Sequence, residues 1–204
     1  MSINQSITQI KAYWGEQLIP LSSGATSALK LSSDYSVFLK NIGIPVDNHL
    51  NTYHAKPSVK MVLHPQEAYS LTLNNKRFIV IGYYQKVYFR FFLVIEREIG
   101  HISLVFAHQL SNVKFVNTDI IKFLLCLKSY LELLPKLRPL WNILDDDMLE
   151  MERNERVKYR RQLGADVKIL LDNLQEKIQV TDANAFVDPL SFWSERFTDW
   201  RLNS

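Results

Sequence analysis

The sequence predicts an α+β fold, an antiparallel sheet of about five to six strands with helices packed on it. Three observations predict it. Apolar residues alternate with a period of two only across residues 59–106. They recur at helical spacing on both sides of that stretch. The connections inside it are too short for a parallel crossover, which takes roughly a dozen residues.

In chain order, Ile7, Ile10, Tyr13 and Trp14 predict a first helix that ends near Gly15. The Ser-, Gly- and Thr-rich stretch 21–31 reads as loop. Ser33 opens a helix through Asn41, with Val37, Phe38 and Ile42 on one face, Gly43 at its end and Pro45 blocking continuation. Residues 46–57 are polar and irregular. Residues 59–63, 69–73, 77–84, 87–96 and 101–106 are rich in β-branched and aromatic side chains and read as a meander of five strands. Asn74-Asn75 suits a tight turn with positive φ, and 96–100 forms a second polar turn closed by Gly100. A long apolar helix then follows from an N-cap at Asn117, with Ile120, Leu124, Leu127, Leu131 and Leu134 in one stripe, and Pro135 and Pro139 are expected to end it. Acids lead and bases follow across 145–161, the polarity of an exposed helix, which Gly164 interrupts. Val167, Leu170, Leu171, Leu174 and Ile178 mark another helix. Asp188-Pro189 starts a last one carrying Phe192, Trp193, Phe197 and Trp200. The whole chain, 1–204, reads as one domain, with 145–204 a helical extension packed on its core.

Composition narrows the class. The chain has 204 residues, 47% hydrophobic and 22% charged, which places it among ordinary globular proteins. The net charge of +3 is too small to imply nucleic-acid binding. It is unevenly spread: residues 1–116 hold 11 basic and 6 acidic side chains, and residues 117–204 hold 13 and 15. A single cysteine, Cys126, excludes an internal disulfide. The first residues lack the basic and apolar regions of a signal peptide, and no apolar run approaches the roughly 20 residues of a membrane span. The expectation is a cytoplasmic protein that binds neither membrane nor nucleic acid.

Few residues carry chemistry. The glycines form neither a dinucleotide nor a phosphate-binding loop, and there is no nucleophile elbow. His49, His54, His64, His101 and His108 lack the i,i+4 spacing of a helical zinc pair and read as ordinary polar residues. Cys126 sits in the most apolar helix and reads as a small buried side chain rather than a nucleophile. Glu96 and Glu98 could converge for acid–base work, but also suit a solvated turn. Tyr83, Tyr84, Tyr88, Phe89 and Phe91 with Lys86 and Arg90 combine aromatic and basic groups, as single-strand binders and protein interfaces both do. Asp145, Asp146 and Asp147 cap a helix or meet a basic partner. No catalytic residue, metal or cofactor is expected.

Several segments, in order, resemble the SUKH superfamily. Phe38-Leu39-Lys40-Asn41-Ile42-Gly43-Ile44-Pro45 is similar to its "FL-x-x-(I/V)G-(L/I)-P" segment. Phe78-Ile79-Val80-Ile81-Gly82 resembles its strand ending in "IG", and Phe92-Leu93-Val94-Ile95 its next hairpin, where many members have Asp in place of Glu96. Phe115-Val116-Asn117-Thr118 with Phe123 resembles the entry to its long helix. Asp188-Pro189-Leu190-Ser191-Phe192-Trp193 is similar to the C-terminal segment of its bacterial immunity subgroup. The resemblance implies a SUKH-like fold, no catalysis, no cofactor, and a role in binding and neutralising a polymorphic toxin, often a nuclease or deaminase. The alternative it leaves is an intracellular scaffold or regulatory binding domain of the same superfamily. It transfers no contact residues. Those expected from exposure alone are Tyr84, Lys86, Tyr88, Glu96, Glu98, Asp145, Asp146 and Asp147. The oligomeric state stays open.

Overall fold

The computed structural model describes residues 2–31, 33–46, 51–52, 59–86, 89–106, 112–142 and 153–202. Along them run α1 (Ile3–Trp14), β1 (Leu18–Ile19), α2 (Ser23–Ala28), α3 (Ser33–Asn41), β2 (Ile44–Pro45) and β3 (Asn51–Thr52). Then come β4 (Val59–Leu63), β5 (Tyr69–Leu73), β6 (Lys76–Lys86), β7 (Phe89–Glu96), β8 (Ile102–Phe106) and β9 (Val113–Asn117). Three helices follow: α4 (Ile120–Asn142), α5 (Arg153–Thr181) and α6 (Phe192–Leu202).

The fold is α+β, as the sequence predicts. Among the described residues, the main sheet has seven antiparallel strands, in the order β3-β4-β6-β7-β8-β9, with β5 also on β6, and β1 pairs with β2 apart from it. The expected meander needs one correction. β4 and β5 do not pair with each other; β4 takes the second half of β6 and β5 the first. β6 is 11 residues long and hosts both five-residue strands end to end. A 3-10 turn opened by Pro65 carries the chain between them. Where β4 meets β6, a Cβ on Gly82 would lie 2.1 Å from the Val62 carbonyl oxygen, so only glycine admits this approach. The β5–β6 turn is as expected, with Asn74 at φ 47° and Asn75 at φ 63°.

Local capping explains most helix limits. Ser2 and Gln5 close a capping box on α1, and Gly15 ends it at φ 52°. The stretch 21–31 is not all loop. Ser22 caps α2 by accepting from the Ala25 amide at 3.3 Å, and burial of Leu21, Ala25 and Leu29 outweighs a composition poor in helix formers. In α3, Phe38 and Leu39 are buried while Val37 faces out.

Four later features differ from the sequence reading. Asp119 rather than Asn117 caps α4, accepting from the Lys122 amide at 2.8 Å. The helix runs on past Pro135 and Pro139. Pro135 lies on the exposed side, where water can solvate the Leu131 carbonyl that its ring leaves unbonded. Gly164 lies inside α5, at a cost of about 1 kcal/mol against alanine that the packing of Leu163 and Val167 overrides. Asp188-Pro189 forms a turn, with Asp188 Oδ1 accepting from the Leu190 amide at 2.8 Å, and Ser191 caps α6.

One apolar cluster joins the helices to the inner face of the sheet. It includes Leu63, Ile79, Ile81, Leu93 and Ile95 from the strands, Phe123 and Leu124 from α4, Leu171 and Ile178 from α5, and Trp193 from α6. Each such side chain contributes about 1.5–3 kcal/mol on full burial. A smaller cluster of Leu73, Phe78, Val80, Val94 and Val105 lies on the opposite face.

Candidate docking surface

The structure separates the residues nominated by sequence. Lys86 ends β6 at one end of the sheet, and Glu96 ends β7 at the other, roughly 24 Å away at the rise of an extended strand. Glu98 lies in the turn beyond β7, so it does not share a strand face with Glu96. Glu96 is paired with Lys76 at 2.9 Å and its side chain is only 13% exposed. Glu98 stands 3.8 Å from both Lys30 and Arg97. Each carboxylate has its own cation, the arrangement of a solvated turn rather than an acid–base pair. The expected exposure of Tyr84 is corrected: it is 6% exposed. Its register opposite Phe91 puts it on the helix-facing side, where its ring meets Phe192 edge-on at 5.3 Å. Tyr88 and Asp145, Asp146 and Asp147 lie outside the described residues, as do His49, His54 and His108.

The Lys86 end of the sheet carries a run of aromatic rings. Phe89, 55% exposed, stands 5.7 Å from Phe106, which stands 5.1 Å from Phe91. Phe91 continues to Tyr84 at 6.0 Å, and from Phe192 the run reaches Trp193 at 4.9 Å. Beside it lies a small cleft of about 40 Å³, lined by Tyr84, Phe91, Lys114, Phe192, Glu195 and Arg196. Glu195 is ion-paired with Lys114, and Arg196 is buried. On the reverse face, the Arg90 guanidinium stacks 4.5 Å from the centre of the Tyr83 ring.

Behind this surface sits a buried polar lock. Asp182, just past α5, accepts from the Thr118 amide at 2.7 Å, the Thr118 hydroxyl at 2.9 Å, the Asn117 side-chain amide at 3.0 Å and the Asn184 amide at 3.3 Å. Asn117 Oδ1 in turn accepts from the Trp193 indole N–H at 3.1 Å. The end of β9 and the start of α4 are thereby tied to the α5–α6 connection.

Set against protein families, residues 8–199 match the model of the SUKH-4 immunity protein. This chain belongs to the SUKH-4 immunity protein family. Compared with curated proteins and with solved structures, it finds no match.

Two of the segments that resemble SUKH proteins, 115–118 and 188–193, thus meet at the lock of this SUKH-4 protein, through Asn117 and Trp193. Asp182, the partner of Asn117 and Thr118, escaped sequence reasoning. Its one signal was an acid directly after the Ile178 stripe, the position of a cap for the 3-10 turn Ala183–Phe186. Cys126 lies beneath the lock, buried, 3.5 Å from the Asn117 amide nitrogen. Burial pushes its thiol well above the ordinary range; the Asn117 hydrogen bond opposes this, while the charges of Asp182 and Asp119 add to it. Such a thiol is no nucleophile. Unfolding lets it ionise above about pH 8.5, so there the unfolded state holds fewer protons than the native one. Its contribution to stability should be constant below that pH and fall by about 1.4 kcal/mol per pH unit above it. Denaturation of wild type and Cys126→Ala from pH 7 to 9.5 checks this: the difference between the two curves should narrow only at the alkaline end.

His64 stands 4.0 Å from Glu67, and His101 packs edge-on against Phe115 at 5.5 Å. Among the described residues no group of three or more His, Cys, Asp or Glu side chains is placed to hold a metal ion. No described helix is long and apolar enough to cross a membrane.

Proposed function

We propose that this SUKH-4 protein neutralises a cognate polymorphic toxin in the cytoplasm, by stoichiometric protein–protein contact and without catalysis. The observation that carries the reading is the family match over 8–199. The packing supports it: a sheet backed on one face by a continuous apolar core holds surface side chains rigid, so little entropy is lost on docking. The class of toxin proposed is a nucleic-acid-targeting one, such as a nuclease or deaminase. Among the residues nominated by sequence, Lys86, Tyr88, Glu98 and Asp145, Asp146 and Asp147 remain proposed contacts. Tyr84 supports the surface from behind, and Glu96 is engaged by Lys76.

Co-expression with the toxin domain encoded by the neighbouring gene tests the proposal. The expected result is restored growth and a 1:1 complex on size-exclusion chromatography. Neither rescue nor complex would overturn it, and several endogenous partners without a toxin would favour a scaffold instead.

A further inference from the structure

Independently of the toxin reading, we propose that the chain self-associates through the outer edge of β5. Two copies pair their β5 strands antiparallel, about a two-fold axis at Leu71.

β5 is an open edge. Among the described residues it pairs only with β6. The tight turn at Asn74-Asn75 makes Leu73 and Lys76 a hydrogen-bonded pair, and bonded pairs alternate from there along the ladder. Leu73, Leu71 and Tyr69 therefore bond to β6, while the N–H and C=O groups of Ser70 and Thr72 point away from it. No backbone hydrogen bond among the described residues reaches those groups. α2 approaches β5 but turns Ala25 and Leu29 into the core, and Tyr69, Ser70 and Thr72 stay exposed. The edge at β9 is different: α6 lies against it, Lys114 is ion-paired with Glu195, and Asp182 takes the Thr118 amide just beyond its end. Sheet edges ordinarily avoid one another through charged residues, proline or a bulge. Residues 69–73, Tyr-Ser-Leu-Thr-Leu, contain no charge and no proline, and their register with β6 is unbroken.

This edge is complementary to itself. With Leu71 opposite Leu71 on the axis, Ser70 of each copy faces Thr72 of the other, and the two exchange their outward N–H and C=O groups. Tyr69 then lies across from Leu73. Tyr69, Leu71 and Leu73 share one strand face, and Leu71 and Leu73 belong to the second apolar cluster. Pairing therefore extends that cluster across the axis and covers the exposed Tyr69 ring. The antiparallel direction also sets the end of β5 that follows exposed Glu67 beside the hairpin end of the other copy, which carries exposed Arg77. Opposite charges approach there, and like charges do not. A foreign strand would have to reproduce this match, whereas a second copy supplies it by symmetry. A two-fold pair uses up both edges, so association stops at the dimer. Five residues a side bury less than the roughly 1,200–2,000 Å² of a standard interface, so the dimer dissociates on dilution.

Sedimentation velocity of the purified full chain, from about 5 to 500 µM, should show a monomer–dimer equilibrium with Kd of about 10–300 µM and nothing larger. Thr72→Pro removes an outward N–H that β6 does not use, so it should keep the far-UV spectrum and weaken dimerisation at least about tenfold. Leu71→Cys reads the register. Across the axis the two Cα atoms stand about 4.5 Å apart, inside the disulfide range, so mild air oxidation should link this variant into dimers. Ser70→Cys should not link, because its two copies are staggered along the pair and lie beyond about 7 Å. The wild-type chain carries only buried Cys126 and should stay unlinked. A wild type that is monomeric at about 500 µM would overturn the proposal. So would linking at 70 as readily as at 71, or dimers that Thr72→Pro leaves intact. Each of these results leaves the toxin reading where co-expression puts it.

Discussion

Replacing Asp182 with alanine should lower the free energy of unfolding by about 3–5 kcal/mol. The carboxylate accepts four hydrogen bonds, from Thr118 N, Thr118 Oγ1, Asn117 Nδ2 and Asn184 N. Asp182 and Asn117 are both buried. An orphaned buried donor costs about 1–3 kcal/mol, and water entering the vacated space would recover part of the sum. Asp182→Asn keeps one acceptor oxygen but turns an NH2 group toward other donors, so it should restore less than half of the loss. Urea denaturation reads both variants: the midpoint should fall with the slope unchanged. A loss under about 1 kcal/mol would mean that solvent satisfies the donors and that the lock matters little.

The second large effect is expected at Gly43. Its φ is 87°, and an added Cβ would lie 1.8 Å from the Ile19 carbonyl oxygen. Alanine there must both adopt a left-handed conformation and push back a backbone segment paired with Ile44. The conformational part alone costs about 1–2 kcal/mol, and displacement of the β1–β2 ladder brings the expected total to about 3 kcal/mol or more. Gly15 separates the two contributions. It has φ 52° and ψ −123° but nothing within 4 Å of an added Cβ, so Gly15→Ala should cost only the backbone strain, about 1–3 kcal/mol. Equal melting points for the two variants would show that the contact at Gly43 relaxes freely.

The parts of the fold legible in the sequence were those set by local chemistry. The period-two run 69–73, the Asn74-Asn75 turn and the glycine stop at Gly43 each follow from backbone preferences that need no distant partner. The misreadings share a cause in tertiary contact. The helix α4 continues past Pro135 because its apolar stripe is held by core packing from Ile120 to Leu137, and α2 forms because Ala25 and its neighbours have somewhere to bury. Asn117 looks like a cap from its position, yet its amide is recruited by Asp182 and Trp193, distant in sequence. The candidate surface was legible only in composition. Aromatic and basic residues at 83–91 were visible, but which rings face outward depends on strand register, which put Tyr84 inside and left Phe89 out.

The span of the lock also bears on how the protein is made. Asn117 emerges from the ribosome 76 residues before Trp193. At roughly 5–20 residues per second, that is an interval of about 4–15 s. Throughout it the nascent chain has a strand edge and an apolar helix without their closing partners, the state in which chaperones engage and proteases cut. Synthesis begun only on exposure to a toxin would start with that delay, which binding affinity does not shorten.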